Sequence, residues 1–108
     1  MTPRTIVRVL DAMWRHVQFP LFYASLPIAG VDGTIRHRMK GTPAENNVHA
    51  KTGTVDRARS LSGYVTTADG RMLLFSVLCN NFTVPNRDVE QVQDALLMRL
   101  AAMHAGLR

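Results

Sequence analysis

Apolar residues in the first twenty positions recur at three- and four-residue steps, the period of an α-helix with one buried face. They are Ile6, Val9, Leu10, Met13, Trp14 and Val17. Thr2 and Pro3 precede them, and this pair suits a helix start because threonine oxygen accepts from a free N–H and proline there loses no hydrogen bond. We therefore predict an amphipathic helix in a region closed by Pro20, with Trp14 as a core aromatic residue.

Two prolines and three glycines interrupt residues 21–43. Both residue types break regular elements. The sequence therefore predicts an irregular segment here, with no more than a short helical turn over residues 33–39.

Short runs with strand character follow from residue 48 onward. They predict β-strands over residues 48–55, 61–67 and 71–79. Asp69 and Gly70 tolerate positive φ and favour a tight turn, so the second and third strands are expected to form an antiparallel hairpin. The third strand is apolar at the consecutive positions 72–75, which predicts a central strand covered on both faces.

Apolar residues near the C-terminus return to helical spacing. They are Val89, Val92, Leu96, Leu100 and Met103. Thr83 or Asn86 is expected to cap the start of this helix, and Gly106 to cap its end. Both terminal helices are free to cover one face of the sheet. The sequence thus predicts an α+β fold, a three-stranded antiparallel sheet flanked by N- and C-terminal helices.

The composition is that of one globular domain. The 108 residues are 46% hydrophobic and 19% charged, which excludes a disordered chain, a collagen-like repeat and a disulfide scaffold. No run approaches the roughly 18 apolar residues of a transmembrane segment, and no apolar signal-peptide core follows Met1. Cys79 is the single cysteine, and its place at the end of an apolar strand predicts a small buried residue.

The net charge of +5 comes from the first part of the chain. Residues 1–63 hold nine Lys or Arg against four Asp or Glu, and residues 64–108 hold four against four. A basic surface attracts nucleic acid, an acidic membrane or an anionic small substrate. Nucleic acid is the weakest of these interpretations, because aromatic residues make up 6% of the chain and do not interleave with the basic ones.

Other polar residues give weaker indications. Arg36, Arg38 and Lys40 form a short basic cluster, which we interpret as a solvated loop in preference to a contact with an anionic polymer. The histidines are His16, His37, His49 and His104. Their spacing places no two of them as ligands on one helix or strand face, so no metal site is expected.

One short segment combines groups that suit ligand binding. Lys51-Thr52-Gly53-Thr54 brings a cation, two hydroxyls and a glycine without a Cβ onto one predicted strand. At a sheet edge such a strand accepts an extended peptide through main-chain hydrogen bonds, with Lys51, Thr52 and Thr54 holding a terminal carboxylate. His49 lies two residues before Lys51, hence on the same strand face, where it either lines the cleft or is a solvated polar side chain.

Several segments carry a resemblance to a known family. They are residues 24–34 (ASLPIAGVDGT), 41–43 (GTP), 50–54 (AKTGT) and 60–65 (SLSGYV), then the Asp69-Gly70 hairpin, Phe75-Ser76 and Asn80-Asn81. In these features the chain resembles the C-terminal part of the D-alanyl-D-alanine carboxypeptidase/endopeptidase family of low-molecular-mass penicillin-binding proteins, peptidase family S13. Lys-Thr-Gly is a motif of the penicillin-binding proteins. The resemblance implies that residues 1–108 are the C-terminal portion of a β-lactamase/transpeptidase-like domain.

The resemblance also implies a chemistry. In this family a serine attacks the penultimate D-alanine carbonyl of a peptidoglycan stem peptide, and water hydrolyses the acyl-enzyme. Lys51 would supply positive charge beside the nucleophile, and the hydroxyls of Thr52 and Thr54, on either side of Gly53, would bind the terminal carboxylate. The Thr54 N–H would supply half of the oxyanion hole. The family further implies β-lactam antibiotics as ligands, no cofactor, and a periplasmic or other extracytoplasmic location.

The sequence departs from the family at the nucleophile. The family requires Ser-x-x-Lys and Ser-x-Asn, and neither occurs at any of the four serines. Those serines are Ser25, Ser60, Ser62 and Ser76. A serine without an adjacent base is a weak nucleophile. We therefore expect residues 1–108 to be a fragment, inactive alone, whose missing N-terminal part carries the nucleophile and the signal peptide, with Met1 an internal methionine.

A non-catalytic module that binds peptide ends or partners through the same edge strand is the alternative. In the related fold, the strand over residues 71–79 pairs on its far side with a strand from the missing part. That edge would be bare here, and a bare apolar edge promotes aggregation. The isolated chain is therefore expected to be poorly soluble or partly ordered.

Overall fold

The computed structural model describes residues 2–55, 58–80 and 83–104. Within these residues, three helices, a 3₁₀ turn and three strands follow one another in an α+β order, which confirms the predicted fold class. In chain order they are α1 (Pro3–Trp14), α2 (Phe19–Ser25), the 3₁₀ turn (Gly33–Ile35), β1 (His49–Val55), β2 (Ala58–Thr66), β3 (Met72–Asn80) and α3 (Asn86–Ala102).

The strands form one antiparallel sheet in the order β1-β2-β3. Lys51 lies opposite Ser62 on β2, and Gly63 of β2 lies opposite Phe75 on β3. Because β2 occupies the middle and β3 an edge, the prediction that the third strand is central is wrong for this sheet. The consecutive apolar residues of β3 reflect helices on both faces, since alternate side chains point to opposite sides of a strand.

The two long helices lie on opposite faces of the sheet, so the expectation that both cover one face is wrong. Leu61 and Val65 of β2 pack with Leu97 of α3 in the larger cluster of buried apolar residues. Tyr64, which points the other way, packs with Leu10 of α1 in a second cluster. The Tyr64 hydroxyl donates to the Leu10 carbonyl oxygen at 2.7 Å, which fixes α1 to that face.

The first helix starts as predicted, but the chain after it differs from the prediction. The Thr2 side chain accepts from the Thr5 N–H at 3.1 Å and caps α1. Pro20 lies in the first turn of α2, where a helix needs no N–H donor. This helix extends into the segment expected to be irregular, as far as Ser25. Trp14 is 45% exposed and lies edge-on to the Phe19 ring, 5.1 Å between centroids. It is therefore not a core residue.

The third helix exists as predicted but buries a different face. Its buried residues are Val89, Gln93, Leu97 and Ala101. Val92 is 63% exposed, and Leu96 and Met103 are also exposed. An apolar pattern misses this face because a glutamine occupies one of its four positions. Pro85 is the residue at the N-cap, and no side chain of the described residues caps the helix. Neither Thr83 nor Asn86 therefore has that role, and Gly106 lies outside the described residues.

The turns follow the sequence signals closely. Gly70 has φ +85°, and the Thr67 N–H donates to the Arg71 carbonyl oxygen at 2.7 Å to close the β2–β3 hairpin. The 3₁₀ turn falls inside the predicted segment over residues 33–39. Within the part of the chain that the structure covers, no helix has the length and apolar character needed to cross a bilayer.

Candidate functional site

The Lys-Thr-Gly segment lies on β1, at an edge of the sheet. Residues 27–29 cover the start of this edge, where the Ala50 N–H donates to the Pro27 carbonyl oxygen at 2.9 Å. Every second residue of an antiparallel strand directs its N–H and C=O to the same side. Thr52 and Thr54 therefore direct their main-chain groups to this outer side, and beyond Ala50 no described strand pairs with them.

The side chains of the segment divide between the two faces of β1. Lys51 shares the α1 face with His49 and Gly53, whereas Thr52 and Thr54 project to the α3 face. The Lys51 ammonium and the Thr52 and Thr54 hydroxyls therefore do not share one face of β1. They lie on opposite faces, on the two sides of the same outer edge. The Lys51 ammonium donates to the carbonyl oxygen of Thr52, and no described carboxylate forms an ion pair with it.

A largely apolar cavity of about 400 Å³ opens on the α1 face beside Lys51. Its walls are Ile6, Leu10, Phe22, Ser25, Leu26, Pro27, Lys51, Thr52, Ser60 and Ser62. The Ser62 hydroxyl lies 2.9 Å from that of Ser76. A larger groove, about 640 Å³, lies near Asn46 and shares no lining residue with the Lys-Thr-Gly segment.

A smaller, polar cavity of about 180 Å³ opens on the α3 face. It is lined by Thr34, Arg38, Thr52, Gly53, Thr54, Arg59, Ser60, Glu90 and Gln93. Two ion pairs lie at it: the Arg59 guanidinium lies 2.9 Å from Glu90, and that of Arg38 lies 2.6 Å from Asp94. The Thr34 and Thr52 hydroxyls are hydrogen-bonded at 3.0 Å.

His49 lies on the Lys51 face, as strand alternation predicts, but it packs against α2. Its ring stacks on Tyr23 with 3.8 Å between centroids, and its Nδ1 lies 3.4 Å from the Tyr23 carbonyl oxygen. Burial lowers the pKa of His49, against smaller opposing effects of that hydrogen bond and of Asp32. The half-buried His49 ring is therefore neutral at neutral pH.

Arg38 and Cys79 differ from their sequence interpretations. Arg38 is not a solvated loop residue, since its side chain is only 12% exposed and also donates to the Gln93 side chain at 3.3 Å. Arg36 is exposed and donates to the Gly33 carbonyl oxygen. Cys79 is half-buried, not fully buried. Over residues 2–55, 58–80 and 83–104, no group of three His, Cys, Asp or Glu is arranged to hold a metal ion.

Sequence reasoning missed several residues of the polar cavity. Thr34, Arg59, Glu90 and Gln93 come from three separate elements, and no local pattern connects them. One signal was available: Gln93 is spaced by four residues from both Val89 and Leu97, so a glutamine lies on a helix face that is otherwise apolar. Such a buried amide requires polar partners, which here are Arg38 and the Arg59 carbonyl oxygen.

Comparison with solved structures gives the class of protein. Penicillin binding protein 4 (dacB) from Haemophilus influenzae, in a crystal structure complexed with a β-lactam, matches with a TM-score of 0.85 and 28% identity. The match covers 95% of this chain and 26% of that one. The fold of this chain therefore matches part of a penicillin-binding protein, the class of protein that the resemblance predicted.

The family follows from the sequence comparisons. The D-Ala-D-Ala carboxypeptidase 3 (S13) family model matches residues 1–103, and the chain belongs to that family, as the resemblance predicted. A D-alanyl-D-alanine carboxypeptidase of Actinomadura sp. (strain R39) is 41% identical over 106 residues, which are 94% of this chain and 19% of that protein. The DacB carboxypeptidase of Haemophilus influenzae is 33% identical over 85 residues, 77% of this chain and 18% of that protein. The chain thus spans about a fifth of the length of these relatives.

Proposed function

We propose that this chain is the substrate-strand portion of a serine-type D-Ala-D-Ala carboxypeptidase, which hydrolyses peptidoglycan stem peptides through an acyl-enzyme. The open edge of β1 carries the proposal: Thr52 and Thr54 present main-chain groups along it, with hydroxyls on one side and Lys51 on the other. Membership of the carboxypeptidase family supports the reaction.

Substrate binding follows from strand addition. A stem peptide ending in D-Ala-D-Ala lies beside β1 and pairs with the outward-facing main-chain groups of Thr52 and Thr54. The hydroxyls of Thr52 and Thr54 donate to the terminal carboxylate, and Gly53, without a Cβ, leaves the backbone accessible. The Thr54 N–H donates to the developing oxyanion, a contribution of about 3–4 kcal/mol in transition states of this kind.

Lys51 supplies positive charge near the reacting carbonyl. Its ammonium has no ion-pair partner among the described carboxylates, so its charge is available to a substrate or a neighbouring nucleophile. His49 lies on the same face but is stacked on Tyr23. It bounds the substrate-binding region, and its neutral ring leaves Lys51 as the cation of this face.

The attacking hydroxyl belongs to polypeptide outside residues 1–108. Ser25, Ser60, Ser62 and Ser76 lack a lysine three residues later. The nucleophile-bearing part packs against the apolar cavity beside Lys51, and one of its strands pairs with the outer edge of β3. Residues 1–108 are then the C-terminal portion of one penicillin-binding domain, inactive alone, with β-lactams as ligands and an extracytoplasmic location.

A non-catalytic module that binds peptide ends is the second candidate. The missing serine motifs favour it, because the same edge of β1 binds a peptide terminus whether or not a nucleophile is present. The upstream coding sequence distinguishes the two. An in-frame continuation with Ser-x-x-Lys supports the enzyme, and a true translation start at Met1 supports the module.

Labelling with a fluorescent penicillin tests the enzyme. We expect covalent label on the polypeptide extended upstream and none on residues 1–108, because only the longer chain has the nucleophile. Lys51→Ala in the longer chain is expected to reduce labelling at least tenfold, since it removes positive charge near the reacting carbonyl, whereas Lys40→Ala, on an exposed residue away from β1, leaves it unchanged. Label on residues 1–108, or none on the longer chain, would contradict the proposal.

A further inference from the structure

Thr34 places a third hydroxyl next to the Lys-Thr-Gly strand. Its Oγ1 lies 3.0 Å from that of Thr52, although 18 residues separate them in sequence. Both side chains line the polar cavity on the α3 face. The family resemblance includes Thr34 at the end of residues 24–34 but gives it no role, and Thr34 belongs to the 3₁₀ turn and not to β1.

The direction of this hydrogen bond follows from counting protons. A threonine hydroxyl has one hydrogen to donate. If Thr52 donates that hydrogen to the carboxylate of a bound peptide, Thr52 must accept from Thr34. The two hydroxyls and the carboxylate then form a chain in which each hydrogen bond polarises the next.

The backbone around Thr34 is well supported. Gly33 has φ +67°, and a Cβ there would lie 2.6 Å from the Pro27 Cβ, so the turn sits directly against the segment that covers the start of the β1 edge. Ile35 is fully buried, and its carbonyl oxygen accepts from the Gly30 N–H at 3.0 Å. Thr34 therefore lies between Gly33 and Ile35, and the contacts of these two residues fix the backbone on both sides of it.

We propose that Thr34 is a positioning residue that orients the Thr52 hydroxyl towards the terminal carboxylate of the substrate. The inference rests on the proposed function, in which Thr52 binds that carboxylate. Thr34 acts through Thr52 and does not itself contact the substrate.

The first test measures the orientation of Thr52 in the full 108-residue chain, at a concentration where sedimentation velocity shows a monomer. Three-bond NMR couplings report the χ1 rotamer populations of Thr52 in the wild type, Thr34→Val and Thr34→Ser. We expect one dominant rotamer in the wild type and in T34S, which retains a hydroxyl, and a mixture in T34V, which keeps the shape but loses the donor. Thr54 is the internal control, and its rotamer is expected to be unchanged. A T34V chain with the wild-type Thr52 rotamer would overturn the inference.

The second test measures carboxylate recognition in the longer enzyme without penicillin, after a separate sample has been shown to take the fluorescent label. kcat/KM is compared for an acylated D-Ala-D-Ala peptide and for the same peptide ending in a carboxamide. T34V is expected to reduce the preference for the carboxylate about 2- to 10-fold, the range of one neutral hydrogen bond, and T34S to restore most of it. Thr83→Val, on an exposed loop residue, is the matched control.

The outcomes separate the two proposals. A general loss of structure lowers kcat/KM for both peptides and leaves their ratio intact, and such a result would overturn the positioning role. A longer wild-type enzyme that takes no penicillin overturns the proposed function and the inference with it. Labelled wild type with an unchanged ratio in T34V overturns the inference alone.

Discussion

Two glycines on neighbouring strands have different requirements. Gly63 lies opposite Ala50, and a Cβ at Gly63 would come 2.0 Å from the His49 carbonyl oxygen. That atom is part of the β1 backbone and cannot move without shifting the strand. A Cβ at Gly53 would meet the Ser60 Oγ at 2.5 Å, but this is the end of a side chain that can rotate. Gly63 is therefore required by the packing of β2 against β1.

We expect Gly63→Ala to destabilise the chain by at least about 2 kcal/mol, because the added methyl forces the strands apart. Gly53→Ala is the matched control, and its smaller effect reflects a serine rotamer change. Thermal unfolding monitored by circular dichroism measures both. Equal midpoints for the two variants would contradict the role given to the β1 backbone.

At the scale of elements, α3 is tied to the segment after the 3₁₀ turn. The Arg38 guanidinium contacts Asp94 at 2.6 Å and also donates to the Gln93 side chain. Gln93, 1% exposed, donates in turn to the Arg59 carbonyl oxygen on β2 at 3.2 Å. These contacts join a loop, a strand and a helix beside the polar cavity, and so support its shape.

Arg38→Met is expected to reduce the free energy of unfolding by about 2–3 kcal/mol, since Asp94 and Gln93 lose a charged partner in a poorly solvated place. Arg15→Met provides the control, because the Arg15–Asp11 pair is solvent-exposed and such pairs contribute less than about 1 kcal/mol. Urea titrations of both variants give the comparison. If Arg38→Met lowers the free energy of unfolding no more than Arg15→Met does, the Arg38 contacts do not hold α3 against the loop.

For the molecule as a whole, the two edges of the sheet differ. Residues 27–29 cover the start of the β1 edge through contacts with Val48 and Ala50, whereas no described strand pairs with the outer edge of β3. Leu78, 42% exposed, lies on β3. An unpaired strand with exposed apolar side chains is a template for pairing with a second chain.

We expect the isolated chain to associate with rising concentration and Leu78→Lys to suppress this association, because charges on an edge strand oppose pairing. Sedimentation velocity over a concentration series provides the measurement. Leu21→Lys adds the same charge at a residue of α2 that is 70% exposed and not on the sheet. Equal suppression by both variants would indicate general apolar association instead of edge pairing.

The sequence by itself determined the parts of the protein that depend on neighbouring residues. Thr2 and Pro3 start a helix, Asp69 and Gly70 close a hairpin, and alternation along β1 puts His49 on the face of Lys51. Each of these signals acts over a few residues, where backbone sterics and local hydrogen bonds decide the outcome. The family resemblance belongs to the same category, since it rests on short runs read directly from the chain.

Only the tertiary structure decided which surfaces meet. Trp14 occupies an apolar position of the helical pattern but is exposed, and Gln93 has a polar side chain but is buried. Arg38 is a loop residue by sequence, yet it pairs with Asp94, 56 residues later. The physical reason is that burial and ion pairing depend on the neighbours which folding brings together. The same reason explains why the hydrogen bond between Thr34 and Thr52 became visible only when the 3₁₀ turn was seen against β1.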